Sequence, residues 1–389
     1  MRSPLSRPVL RWLLGLLTLL AFFYVRWGPL PNPFWPVAGL LGLALVPGGR
    51  ILPRSRPDVV LGALILSLAI GLTVTSRWTG ATAEPRALWM GLVLAYLVAR
   101  TVETVGGEDL VFRVALGMTV VLVAIALAQL ALYLSTGYFF TFQTGEFAGI
   151  APSRWTPCCG LPAVSSVYGD PRDFSVRLAG LAGLVGFWGL FLGRRRWPVF
   201  TVFGLSALLL LLDFTRAAVL ALGVVTATGV VLALYRRRIA YGRAAVLVIA
   251  GLAVAFLLSP LPDRLMALEA RSPAFRLELW RTYWEHLGFW GARVPAERIS
   301  LHSVHLAMLF FGGWPTLVLW VFLWGDLVAG LLRDRSRPVF WWYLTFLGGS
   351  LGYAVAYGLF SGYGFPLFWI VLGVTIGLRA RLQAEVSGF

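Results

Sequence analysis

Long apolar blocks, separated by arginines or by short Gly/Pro-rich turns, run through the whole of this chain and limit what it can fold into. Their approximate cores are 9–25, 31–48, 59–75, 87–103, 112–135, 174–193, 198–213, 217–235, 244–260, 303–325, 338–358 and 365–378. Most are long enough to cross a hydrocarbon layer of about 30 Å, which takes roughly 20 helical residues. Apolar residues make up 59% of the chain and charged residues 13%, more apolar surface than one water-soluble core buries. Inside a bilayer the backbone must satisfy its own hydrogen bonds, and the blocks lack the strict alternation of a membrane barrel. The expected fold class is therefore all-α integral membrane, with about twelve transmembrane helices. The block at 198–235 is nearly continuous; Asp213-Phe214-Thr215-Arg216 is read as a tight turn between two spans.

The arginines test that layout. The formal net charge is +16, and all 33 basic residues are Arg. A basic balance of this kind can signal nucleic acid, but here the arginines gather at span ends, where orientation signals belong, and no nucleic-acid partner is expected. Clusters stand at Arg2/Arg7/Arg11, Arg50/Arg54/Arg56, Arg194-Arg195-Arg196, Arg236-Arg237-Arg238 with Arg243, Arg333/Arg335/Arg337 and Arg379/Arg381. With about twelve spans and a cytoplasmic N-terminus, all of them fall on one side, and a wrong count would scatter them. This layout puts both termini in the cytoplasm. The run after Arg11 is long and lacks a clear small-residue cleavage site, so it reads as a retained first span rather than a signal peptide.

Two long segments fall on the other, extracytoplasmic side, at 136–173 and 261–302, within what reads as a single polytopic membrane domain, 1–389. Long loops in an otherwise tightly connected chain are functional candidates. The first carries four phenylalanines, the adjacent Cys158 and Cys159, and Gly169-Asp170-Pro171-Arg172-Asp173. The second interleaves Arg264, Arg271, Arg276, Arg281, Arg293 and Arg298 with Trp280, Trp284 and Trp290. These arginines run against the orientation bias and need another explanation. Phe275, Leu279 and the Tyr283/Trp284 pair recur at helical spacing, which predicts an amphipathic helix on the membrane surface.

No phosphate loop and no dinucleotide-type glycine fingerprint is present, and no His/Cys cluster has metal-ligand spacing, so neither cofactor nor metal is expected. A transferase on the outer face needs a donor that arrives already activated, such as a sugar on a lipid pyrophosphate. Arginine suits that diphosphate because its planar fork bonds phosphate oxygens in pairs and stays protonated. It would also stabilise the charge that builds as the lipid pyrophosphate leaves. The acceptor hydroxyl needs a base or positioning group, typically His or a carboxylate. Arg216, at the junction of two spans, and Arg276, in the second long loop, are the phosphate candidates. His302 and His305, which open the tenth span, are the acceptor candidates. Each has a plainer reading taken alone: a snorkelling anchor for Arg216, a solvated helix face for Arg276, a packed span-end residue for either histidine.

Taken together these segments resemble the O-antigen ligase and polymerase family of bacterial polysaccharide assembly. That family carries His, then Asn, Ser or Gln, nine residues, Gly, two residues, then Gly, Thr or Tyr. Here His302-Ser303 is followed by nine residues, Gly313, Trp314-Pro315 and Thr316. Upstream, Arg276-Leu277-Glu278-Leu279-Trp280 followed by Gly288 and Gly291 looks like the family's Arg…Trp segment, and Thr215-Arg216-Ala217-Ala218 like its arginine turn. The likeness covers roughly 170–325. Three positions depart from the usual pattern: Ser303 stands where Asn is common, His305 where an aromatic is common, and Arg172 in Pro171-Arg172-Asp173-Phe174 where the family often has Pro-Asn, adding a phosphate contact.

The resemblance implies a GT-C-like, metal-independent, inverting glycosyltransferase of the bacterial inner membrane, with its site facing the periplasm or cell exterior. Its donor would be an undecaprenyl-pyrophosphate-linked oligosaccharide, with Arg216, Arg276 and Arg172 on the pyrophosphate and His302 or His305 at the acceptor. The acceptor glycan would be another lipid-linked repeat, making the chain a polysaccharide polymerase, or lipid A-core, making it a ligase. Membrane lipids are partners in either case, and a chain-length regulator is a further candidate. The alternative of another class is a transporter, which calls for charges at mid-membrane and paired half-helices. Asp326, inside the tenth span, is the residue that most favours it. Gly348, Gly349 and Gly352 read as packing sites.

Overall fold

A computed structural model describes residues 6–22, 33–46, 49–75, 84–138, 164, 166, 168, 171–192, 196–213, 216–235, 272–293, 301, 303–332, 338–358 and 366–387. Within these the chain forms twelve α-helices: α1 Ser6–Phe22, α2 Phe34–Leu45, α3 Arg56–Val74, α4 Glu84–Val105, α5 Glu108–Thr136, α6 Pro171–Phe191, α7 Arg196–Asp213, α8 Arg216–Tyr235, α9 Ser272–Glu285, α10 Val304–Ala329, α11 Pro338–Gly358 and α12 Pro366–Ser387. A two-residue strand pair, β1 Leu287–Gly288 and β2 Gly291–Ala292, lies between α9 and α10. Seven of the described helices are long and apolar enough to cross a membrane: α3, α4, α5, α6, α10, α11 and α12. The chain is a multi-pass, all-helical membrane protein. Eleven of the expected spans coincide with helices, and the one at 244–260 lies outside the described residues. The predicted surface helix is α9, with Leu279 and Tyr283 buried and Trp284 exposed.

The chain divides into two compact units, whose boundaries run through α5, α9 and α11. The first comprises 1–115, 278–347 and 357–389, the second 116–277 and 348–356.

In the first unit, helices meet through glycines. A Cβ on Gly373 would lie 2.6 Å from the Ala95 carbonyl oxygen, and one on Gly377 equally close to that of Ala99, so α12 and α4 run parallel with backbones in contact. α3 runs antiparallel to α10, with Gly71 against Gly312 and Ser67 bonded to Thr316. Without a hydrophobic drive between helices in lipid, such small-residue seams provide the packing. These directions agree with the alternation that the arginine clusters require. One face of α10, through Trp314, Val318, Val321 and Val328, is exposed and apolar, as a lipid-facing stripe must be.

The ion pairs of this unit gather at its arginine-bearing end. Arg11 pairs with Asp109 at 3.0 Å and Arg381 with Glu108 at 2.8 Å. Arg100, fully buried, bonds Asp58 at 2.7 Å, Glu103 and the Arg50 carbonyl. Asp58 also closes the capping box of α3 with Ser55. Arg379 forks onto Asp326 through Nη2 at 2.9 Å and Nε at 3.1 Å. Buried charges of this kind persist only when paired and hydrogen-bonded.

In the second unit, α6 is the centre. α7 and α11 pack antiparallel to it and α8 parallel. The Gly348 carbonyl oxygen lies 2.6 Å from where a Gly183 Cβ would stand, and the Ala179 carbonyl oxygen 3.0 Å from one on Gly352. Gly348 and Gly352 are packing sites, as read from the sequence.

Candidate functional site

In the first unit, the end away from the ion pairs is built around a break in α10. At Gly313 the backbone leaves the helix, with φ 77° and ψ −172°. Left-handed φ suits glycine because it has no Cβ, and any Cβ here would run into the Phe289 carbonyl oxygen and stand 2.6 Å from Trp290 Cα. The β1–β2 turn fills the notch. The Phe289 carbonyl accepts the Trp314 N–H at 3.0 Å, satisfying an amide that the restarted helix leaves orphaned. Pro315 falls in the first turn of the second half, where its missing N–H costs nothing.

The break folds the chain back on itself. A straight helix would separate residues 305 and 320 by about 22 Å, yet Trp320 Nε1 donates to His305 Nδ1 at 2.9 Å. The expected single span 303–325 is therefore two helical segments, and Trp314–Ala329 is the crossing arm. Irregular backbone at such depth is tolerated where protein or a wet cavity surrounds it.

The motif positions have definite jobs here. Ser303 is the N-cap of α10, its Oγ accepting the Leu306 N–H at 3.3 Å. Thr316 gives its one hydroxyl proton to the Gly312 carbonyl at 2.8 Å, so Ser67 must be the donor in the 2.8 Å bond between the two hydroxyls. Trp280 Nε1 donates to the Leu301 carbonyl at 3.1 Å, tying α9 to the residue before the motif histidine. Gly291, at φ 120°, lies where a Cβ would be 3.0 Å from the Phe310 carbonyl oxygen. Tyr283 packs its ring on Phe310 and Phe311. His305 stands beside Gly358 at the end of α11; a Cβ there would meet His305 Nε2 at 3.3 Å.

Trp280, Ser303, His305, Gly313 and Thr316 thus form one connected structure. His302 lies outside the described residues. Arg172, Arg216 and Arg276 belong to the second unit: Arg172 is in the first turn of α6, Arg216 opens α8 and Arg276 is in α9, and their side chains lie outside the described residues.

The sequence reading missed Arg177. It is buried one turn into α6, its guanidinium carbon 3.9 Å from the ring centroid of buried Tyr168. Burial pushes the Tyr168 phenol above its ordinary range, and Arg177 opposes that by charge and hydrogen bond. An arginine inside a predicted span was the available signal. Trp320, Phe289 and Ser67 were also missed, because apolar and hydroxyl residues within spans are too common to mark a site. Among the described residues no group of three metal-ligating side chains occurs.

No protein-family model matches the chain, and no curated protein does. The likeness to the O-antigen ligase and polymerase family accordingly rests on the motif, its spacing, and the backbone requirement behind each specified position.

Proposed function

We propose that this chain is a glycosyltransferase of the O-antigen polymerase and ligase type, with GT-C-like architecture, in the inner membrane of a bacterium. The arginine-clustered end faces the cytoplasm, and the end bearing the broken helix faces the periplasm or cell exterior. An undecaprenyl-pyrophosphate-linked oligosaccharide is the donor. Arg216, Arg276 and Arg172 bind its pyrophosphate and stabilise the leaving group, and His302 serves the acceptor hydroxyl. The acceptor is a second lipid-linked repeat, which makes the enzyme a polymerase.

The observation that carries this reading is the span from Ser303 to Thr316. Its serine caps a helix, its glycine makes a break that no other residue fits, and its threonine secures the restart. A spacing match by chance has no reason to meet all three demands. The pairing of Asp326 with Arg379 also removes the residue that most favoured a transporter.

Reconstitution tests it. Purified protein given only a lipid-pyrophosphate-linked glycan repeat is expected to yield a ladder spaced by one repeat, undiminished by chelator. Arg216→Ala and Arg276→Ala should abolish the ladder while leaving a folded protein. Transfer that appears only when lipid A-core is added would make the chain a ligase, and full activity in either arginine variant would remove the pyrophosphate role.

A further inference from the structure

The site holds a histidine whose tautomer is dictated by its neighbour. Indole N–H can only donate, so the 2.9 Å bond from Trp320 Nε1 obliges His305 Nδ1 to present its lone pair. Neutral imidazole carries one proton, which must then sit on Nε2. Turning the ring over would set a C–H against the indole N–H and lose the bond. Trp320 is itself held: only 2% exposed, it packs on Trp324 and on Trp369, and Trp369 fills the space beside Gly91. His305 is half-buried, and its Nε2 edge faces Gly358, where no side chain stands.

We propose that His305 acts as a fixed hydrogen-bond donor through Nε2–H, with Trp320 as the positioning residue that sets its tautomer. Its ligand is an oxygen acceptor on the lipid-linked glycan, a sugar hydroxyl or a phosphate oxygen; this half of the inference rests on the glycosyltransferase reading. A general base needs a free lone pair on the nitrogen that faces substrate, and Nε2–H has none. The two histidines of the motif region then divide the work: His302 is left as the base and His305 orients. The lock belongs to this chain's own residues, since the position three residues after the motif histidine carries His305 here.

Nitrogen-15 NMR of histidine-labelled protein in nanodiscs at neutral pH reads the tautomer directly. The chain has 3 histidines, so His286→Gln and His302→Gln assign the signals. The expected result is an unprotonated Nδ1 and a protonated Nε2 on His305, replaced in Trp320→Phe by a mixture of both tautomers. Protonated Nδ1 in the native protein, or no change in Trp320→Phe, would overturn the lock. In the ladder assay His305→Gln, which retains an N–H donor, should keep most activity, while His305→Ala should lose more than about tenfold, the worth of one hydrogen bond to a substrate. Equal losses would overturn the donor role. Nε2–H tautomer without any ladder would refute the transferase reading while leaving the lock standing; a ladder with the wrong tautomer would do the reverse.

Discussion

Gly313 shows how much one residue can fix. Its left-handed backbone costs an L-residue about 1–2 kcal/mol before any clash is counted, and here the Phe289 carbonyl and Trp290 stand where a Cβ would go. Gly313→Ala should therefore destabilise the protein by at least about 2 kcal/mol. Gly325, twelve residues further along the same helix, is the natural control, because a Cβ there meets nothing within 4 Å. Gly325→Ala should be neutral or stabilising, since alanine in a helix is favoured over glycine by roughly 0.5–1 kcal/mol. Thermal unfolding in detergent compares the two, and equal midpoints would mean that the break is not required. The motif glycine was legible as a position in a pattern. Its backbone role was not, although Gly312-Gly313-Trp314-Pro315 is the kind of cluster that breaks a helix. Continuous hydropathy across 303–325 hid it: hydropathy records whether a residue suits lipid, and both segments of a folded-back helix do.

At the scale of elements, the sequence was most informative where lipid does the sorting. Apolar block length marked the helices, and arginine clusters marked their ends, because both respond to a slab of fixed thickness. Pairings between elements were less legible, since they depend on partners far apart in sequence. Asp326 read as a stray charge inside a span; only the placement of α12 beside α10 makes it half of an ion pair with Arg379. Both side chains are nearly buried, so removing one leaves the other charged and alone. Asp326→Ala should cost about 3–5 kcal/mol, while Asp326→Leu with Arg379→Met should recover most of that, because apolar replacement of a buried pair is often close to neutral. Unfolding of the single and double variants decides the matter; additive losses would mean that the pair is not coupled. Arg177 was missed for the same reason. It lies within an apolar helix, and its partner Tyr168 comes from a segment whose hydropathy says nothing of where it folds.

For the whole molecule, the first unit separates two chemistries along its helices. The Arg11, Arg100, Arg379 and Arg381 pairs hold one end; the β1–β2 turn, the broken helix and His305 occupy the other. If the first end is cytoplasmic, as the arginine bias requires, positions at the two ends must face different compartments. His286, after α9, and Glu385, in the last turn of α12, are both exposed and belong to the same unit. In a background with Cys158 and Cys159 replaced by serine, His286→Cys and Glu385→Cys each give one thiol to a membrane-impermeant maleimide. In intact cells stripped of any outer barrier, His286→Cys should label at once and Glu385→Cys only after the membrane is opened. In inverted vesicles the order should reverse. Labelling of both from one side would break the alternation on which the span layout stands, and with it the placement of the motif end outside the cytoplasm. The expected result would put the His305 donor and the Gly313 break on the side where a lipid-linked glycan, once carried across, meets its acceptor without any nucleotide.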